Sequence, residues 1–88
     1  MEMNVTGQVT ESELIDYLKN RVVHKIRVYE NEKGRYQITV QVSWKGGELQ
    51  LITIRKKPRE WASLDRMVKH FKTVGVAKHI DWVIVLSG

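Results

Sequence analysis

Hydrophobic and polar residues alternate through the middle of this chain with the period of two that is typical of β-strands. The clearest case is residues 35–45, where every second residue is apolar and the residues between are polar or basic. An alternation this long predicts an antiparallel strand with one dry face and one wet face. Its apolar members are Tyr36, Ile38, Val40, Val42 and Trp44.

The segment before this strand alternates in the same way. Residues 22–30 are rich in β-branched side chains and predict a strand. Ile26 and Val28 share one face of it with His24, and residues 31–34 predict the turn that follows, because Gly34 tolerates positive φ. The opposite, wet face carries Lys25, Arg27 and Tyr29.

A third strand is predicted at residues 49–55, after a hairpin turn at residues 45–48 with the sequence KGGE. Its alternation slips at Leu51 and Ile52, which indicates either a β-bulge or a strand covered on both faces.

The first helix is predicted from local capping chemistry. Residues 1–9 show no period and are expected to form a flexible arm. Thr10 and Glu13 match the capping box, in which each side chain bonds the backbone N–H of the other residue. A short helix with Leu14 and Leu18 on its buried face is therefore expected next.

A second helix is predicted to start at Pro58, since proline suits the first helical turn, and to end before Gly75. Residues 80–86 then predict a last strand that is apolar on both faces apart from Asp81. Such a strand is expected inside the sheet or under the helix rather than at an open edge. The apolar stripe of the helix is Trp61, Leu64, Val68 and Phe71.

These elements follow one another in the order α-β-β-β-α-β. They predict an α+β fold, a two-layer sandwich with a mainly antiparallel four-stranded sheet and helices on one face. Residues 10–88 are expected to form this single domain after the arm at residues 1–9. The chain has no cysteine, no signal-peptide pattern and no apolar run long enough to span a membrane. A cytoplasmic protein without a membrane partner is expected.

The net charge of +5 is distributed unevenly. Residues 1–20 hold one lysine against four acids, whereas residues 21–88 hold fourteen lysines and arginines against six acids. A basic body attracts polyanions such as nucleic acid.

Two basic groups are candidates for phosphate contacts. The first is the cluster RKKPR at residues 55–59, which adjoins the predicted helix start, and backbone N–H groups at a helix start also favour anions. The second is a line of cations on the first two strands. Either group has an alternative interpretation, as a solvated turn that blocks strand pairing or as an ordinary wet face. The candidate residues are Arg55, Lys56, Lys57 and Arg59, with Lys25, Arg27 and Arg35 as the second line.

Other chemistry has little support in the sequence. His24, His70 and His79 match no zinc spacing, and no nucleophile, phosphate-loop or dinucleotide motif is present. We expect no enzyme activity, no metal site and no cofactor. Core packing is expected for Trp61 and Trp82, whereas Trp44 is expected at a rim.

Residues 53–64, TIRKKPREWASL, with Asp65 and Arg66 after them, resemble a phrase in short uncharacterised proteins of bacterial plasmids and integrative elements. The resemblance implies a bacterial, mobile-element setting and carries no activity with it.

The order α-β-β-β-α is also similar to the layout of the double-stranded RNA-binding domain, whose second helix begins with a phosphate-binding basic cluster. By position, that layout implies this role for Lys56, Lys57 and Arg59. The chain departs from that family in its additional strand, in cations that precede the helix, and in lacking Gly-Pro-x-His between the first two strands.

Two functional hypotheses remain open. The first is a small non-enzymatic protein that binds nucleic acid, more readily duplex DNA than RNA. The alternative is a protein-interaction or dimerisation module without nucleic-acid affinity, which the doubly apolar last strand favours.

Overall fold

The computed structural model describes residues 5–75 and 80–85, with Lys45 described by its backbone only. Five strands form one mixed sheet in the order β1-β4-β3-β2-β5. The elements in chain order are β1 (Val5–Thr10), α1 (Glu11–Lys19), β2 (Val23–Glu30), β3 (Tyr36–Val42), β4 (Lys45–Ile52), α2 (Leu64–Val74) and β5 (Asp81–Val85).

The predicted fold class is wrong in strand number, strand direction and element order. The order is β-α-β-β-β-α-β, and the sheet contains two parallel pairs, β1 with β4 and β2 with β5. The expected arm at residues 5–9 forms most of β1, while residues 1–4 lie outside the described part of the chain. The strand leaves no period in the sequence because Val9 is its one buried residue.

Strand β5 lies at an edge of the sheet, beside β2, and not in the interior as predicted. Its apolar side chains are partly exposed, with Ile84 at 49% and Val85 at 45%. Trp82, predicted to be in the core, is 37% exposed and packs edge-to-face against Phe71 at 5.9 Å between ring centroids. The connection through α2 explains the placement, since it returns the chain parallel to β2.

The hairpin between β3 and β4 turns earlier than predicted, at Ser43 and Trp44. The two glycines predicted to form the turn lie within β4, where the pairing with β3 shifts register between Val40 and Val42. Gly47 has a φ of +79°, so it accommodates the bulge and not the turn.

Helix α1 confirms the capping box. The Thr10 N–H donates to Glu13 Oε1 at 2.9 Å, and the Glu13 N–H donates to Thr10 Oγ1 at 3.3 Å. The helix ends in a Schellman motif, in which the Val22 N–H donates to the Tyr17 carbonyl at 3.1 Å. Arg21 holds the left-handed position of this motif with a φ of +57°.

Helix α2 starts at Leu64 and not at Pro58. Ser63 is the N-cap, and its hydroxyl accepts from the Arg66 N–H at 3.1 Å. Pro58 instead forms an isolated β-bridge with Ile52. The end of the helix is as predicted, with Gly75 in the left-handed conformation at φ +87°.

Both helices pack against one face of the sheet and share its core. Each contributes two fully or nearly buried side chains, Leu14 and Leu18 from α1 and Met67 and Phe71 from α2. Val68, predicted on the buried stripe, is 36% exposed. The sheet residues in this core include Ile26, Val28, Ile38, Val40, Leu49 and Leu51.

Candidate nucleic-acid interface

The cationic segment lies in the loop between β4 and α2, at the end of the sheet where β3 begins. Tyr36 and Trp61 exchange both backbone hydrogen bonds at 2.9 Å, which ties this loop to the start of β3. The Asn31 side-chain amide also donates to Glu60 Oε2 at 2.8 Å. The loop therefore lies directly against the turn between β2 and β3.

The tip of this loop is a closed turn. The Lys56 N–H donates to the Thr53 carbonyl at 2.9 Å, and the Thr53 N–H donates to the Lys57 carbonyl at 2.7 Å. The Arg59 N–H then donates to the Leu51 carbonyl at 2.9 Å. These bonds hold the segment as an extension of β4, so the basic side chains project from a braced backbone.

Six cations lie on these two adjoining loops, and we call them the basic rim. Among the described residues, none of the six takes part in an ion pair. The two loops also hold two acids, Glu32 and Glu60, and Glu60 accepts hydrogen bonds from the side-chain amides of Asn31 and Gln37, both at 2.8 Å. The rim consists of Lys33, Arg35, Arg55, Lys56, Lys57 and Arg59.

Arg59 is the most firmly held cation of the rim. Its guanidinium lies 5.1 Å from the centroid of the Trp61 ring, within cation–π range. Trp61 is 8% exposed, so the ring beneath the charge belongs to the core, as predicted. Stacking fixes the direction of a side chain that would otherwise sample many rotamers.

A groove of about 710 Å³ opens between the rim and the start of α1. Arg55 and Arg59 line one side, and Thr10, Glu11 and Ser12 line the other. The Glu11 carboxylate is already paired, since its Oε1 lies 2.6 Å from His70 Nε2.

The structure corrects the interpretation of Arg27, which the sequence placed on the phosphate-binding line. Its Nε lies 3.1 Å from Glu48 Oε1, although the N–H is not aligned for a hydrogen bond with any described group. Glu48 is 4% exposed and also accepts a short hydrogen bond from the hydroxyl of Thr39, which is fully buried. A half-buried guanidinium matched to its own carboxylate is a structural group, so Arg27 does not belong to the rim.

Lys25 is also separated from the rim, because it lies at the far end of β2. It is half-buried, and its register partners are Gln41 and Asp81. At a rise of about 3.3 Å per residue, the five positions from Lys25 to Glu30 span roughly 16 Å. Arg35 is exposed in the turn before β3 and joins the basic rim. The predicted second line of cations is therefore not one surface, and Arg35 is its only member that lies on the basic rim.

A polar network on the sheet reaches toward this loop. The Tyr29 hydroxyl lies 2.5 Å from Gln37 Oε1 and 2.6 Å from Gln50 Oε1. Burial raises the pKa of Tyr29 above its usual value, with the charges of Glu48 and Glu60 acting in the same direction and the Gln50 hydrogen bond opposing them. No pattern in the sequence indicates this network, because Gln50 joins it only through the register of β4 against β3.

Trp44, another candidate from the sequence, lies apart from the rim. Trp44 is 57% exposed in the turn between β3 and β4, at the opposite end of the sheet, and packs edge-to-face against Tyr17 at 5.6 Å. His79 falls outside the described residues. Within residues 5–75 and 80–85, no three side chains of the metal-binding types cluster together. The same part of the chain contains no helix able to cross a membrane.

No protein-family model matches this chain, and neither a curated protein nor a solved structure matches it. The geometry of the basic rim is therefore the basis on which a function can be inferred.

Proposed function

We propose that this chain is a small, non-enzymatic protein that binds nucleic acid, specifically duplex DNA, through the basic rim. The observation that carries the proposal is the convergence of six cations on two hydrogen-bonded loops without ion-pair partners among the described residues. Like charges gathered in this way repel one another, and phosphates of a duplex would relieve that repulsion.

The proposed contact surface differs from the one predicted from sequence. Backbone N–H groups at the start of α2 take no part, because the helix begins at Leu64 and its cap is occupied by Ser63. Arg27 and Lys25 also drop out, and Lys33 joins the surface. The phosphate contacts would thus come from side chains on loops, with Arg59 held in place by Trp61.

Duplex DNA fits the shape of this surface better than duplex RNA does. The tip of the loop is a narrow, closed turn that projects beyond β4. A projecting turn can enter a groove of B-form DNA, whereas the major groove of A-form RNA is too deep and narrow for side chains to read. A cytoplasmic location and a bacterial mobile-element setting remain part of the proposal, supported by composition and by the resemblance of residues 53–66.

A salt titration tests the proposal. Fluorescence anisotropy with a labelled mixed-sequence duplex should show micromolar binding at low salt. The log–log slope of affinity against salt should be about −0.9 for each phosphate neutralised. Arg55→Gln with Lys57→Gln should weaken binding and make this slope shallower by about two phosphates. Lys19→Gln with Lys72→Gln, at the ends of the two helices, removes the same charge away from the rim and is the matched control.

Two results would contradict the proposal. One is the absence of micromolar binding at low salt, and the other is an equal loss of affinity in the rim variant and its control. The second result would mean that overall charge attracts DNA and that the rim has no special role.

The exposed edge at β5 favours a second candidate, a homodimer formed by strand addition. The strand carries four apolar side chains, and in the described range its one charged residue is Asp81 at its start, so most of this edge is open to strand pairing. Sedimentation equilibrium distinguishes the candidates. A dimer that Val85→Lys dissociates, together with no affinity for DNA, would favour this candidate over the first.

A further inference from the structure

Ile54 is the most exposed large apolar residue in the described part of the chain. Its exposed fraction is 96%, compared with 57% for Trp44, which still packs against Tyr17. Arg55, Lys56 and Lys57 follow it directly, so one aliphatic side chain stands beside three cations. A single exposed isoleucine is ordinary on a protein surface. Its position at the tip of the basic rim is what calls for an explanation.

The backbone conformation holds Ile54 at the tip of a closed turn. Ile54 and Arg55 are the two central residues of the turn that the Lys56-to-Thr53 hydrogen bond closes. Lys56 takes the left-handed conformation, at φ +65°, that the closure requires. The bridge between Ile52 and Pro58 then anchors the base of this turn to β4. The tip is a rigid projection with an apolar end.

We propose that Ile54 is a wedge that enters the minor groove and partly unstacks one base step, which bends the duplex. The inference rests on the proposed function and specifies how the rim engages DNA. Proteins that bend DNA from the minor groove combine an inserted aliphatic side chain with basic side chains that bind the flanking phosphates. Ile54 would be the inserted aliphatic side chain. Arg55 and Lys57 would bind the flanking phosphates.

A lipid surface is the other partner that an apolar tip with cations would suit. The described rim favours DNA, because Ile54 is its one aliphatic side chain of high exposure and the neighbouring residues are charged or polar. One inserted side chain gives weak, reversible attachment to a bilayer, whereas it is enough to open one base step.

Two variants and one duplex test the wedge. The duplex carries a central TA step, which unstacks easily, a 2-aminopurine at that step, and a fluorophore at each end. Ile54→Ser removes the wedge, and Ile54→Leu keeps an aliphatic side chain. Because Ile54 is 96% exposed, both variants should keep the wild-type melting temperature, which establishes that they are folded.

Wild type and Ile54→Leu should raise the 2-aminopurine signal and shorten the end-to-end distance. Ile54→Ser should still bind, about tenfold more weakly, with both signals lost and the salt slope unchanged, since no charge has been removed. Bending by Ile54→Ser to the wild-type extent would overturn the wedge. Binding by the wild type that leaves the duplex unbent would also overturn the wedge, although the proposed function would remain intact.

A failure of the proposed function has a different signature, namely no binding by any of the three proteins. Flotation with vesicles of phosphatidylcholine and phosphatidylserine forms the lipid arm. Vesicle binding that depends on Ile54, without any bending of DNA, would overturn the wedge in favour of a membrane contact.

Discussion

At the scale of single residues, Arg21 and Lys56 are unusual because both adopt the left-handed conformation with a β-carbon. That conformation costs about 1–2 kcal/mol for an L-residue, and glycine or asparagine is the usual occupant. Arg21 occupies the left-handed position of the Schellman motif of α1, and Lys56 follows the two central residues of the turn in the basic rim. Only the second position belongs to the basic rim, so only there does the proposed function use the charge.

Replacement of these residues by glycine separates strain from charge. Lys56→Gly and Arg21→Gly should each raise the free energy of unfolding by about 0.5–1 kcal/mol, as measured by urea denaturation. Each removes one positive charge, but only Lys56→Gly should weaken the binding of duplex DNA in anisotropy. If both variants lose affinity equally, the position of the charge does not matter and the rim is not the contact surface.

The Tyr29 hydroxyl should make the free energy of unfolding depend on pH in the alkaline range. Burial raises its pKa in the folded protein, while the unfolded chain titrates near pH 10. Its contribution to stability is therefore complete below about pH 10 and is lost as pH rises through the folded pKa. The free energy of unfolding should fall more steeply above about pH 10 in the wild type than in Tyr29→Phe. Parallel decline in the two proteins would show that Tyr29 titrates normally.

At the scale of elements, the sequence predicted whatever depends on neighbours along the chain. The capping box at Thr10 and the left-handed Gly75 at the end of α2 are confirmed because each is a local hydrogen-bonding motif. The parallel strands β1 and β5 were missed or misplaced because their partners, β4 and β2, are distant in sequence. Only the tertiary arrangement specifies those pairings.

The start of α2 shows how two local signals compete. Pro58 suits a first helical turn, yet Ser63 is the residue that caps the helix. Trp61 appeared to extend the helical stripe because it is apolar and lies three residues before Leu64. It is instead held outside the helix by its backbone bridge to Tyr36. The basic cluster therefore lies in the loop that follows β4, and not at the helix start predicted for it.

Substitution of Ser63 by alanine tests where α2 begins, because the sign of the change in the free energy of unfolding depends on the position of Ser63 in the helix. Loss of the N-cap should lower the free energy of unfolding by about 1 kcal/mol in urea denaturation. A helix that began at Pro58 would instead place Ser63 in its interior, where alanine is the better helix former. Stabilisation by Ser63→Ala would therefore show that the helix starts earlier. Thr10→Ala, at the cap of α1, provides the reference for an N-cap loss.

At the scale of the whole molecule, the positive charges divide into structural and available groups. The basic rim gathers one set at the end of the sheet where β4 stops. Arg27 belongs to the structural set, since it pairs with Glu48, which in turn accepts a hydrogen bond from Thr39. Sequence alone could not make this division, because the bulge at Gly47 sets which β4 side chain faces Arg27.

The pair formed by Arg27 and Glu48 allows the proposed site of DNA binding to be tested apart from stability. Glu48→Ala leaves a half-buried guanidinium without its carboxylate and should lower the free energy of unfolding by about 2–4 kcal/mol. Arg27→Met with Glu48→Leu removes both charges and should cost much less, because no buried charge is left unpaired. Urea denaturation compares the two. The double variant keeps the net charge, so its affinity for duplex DNA should equal that of the wild type if the rim is the contact surface. A loss of affinity in this folded variant would show that the contact surface includes the sheet face. Arg27 would then be contributing a contact that the rim does not supply.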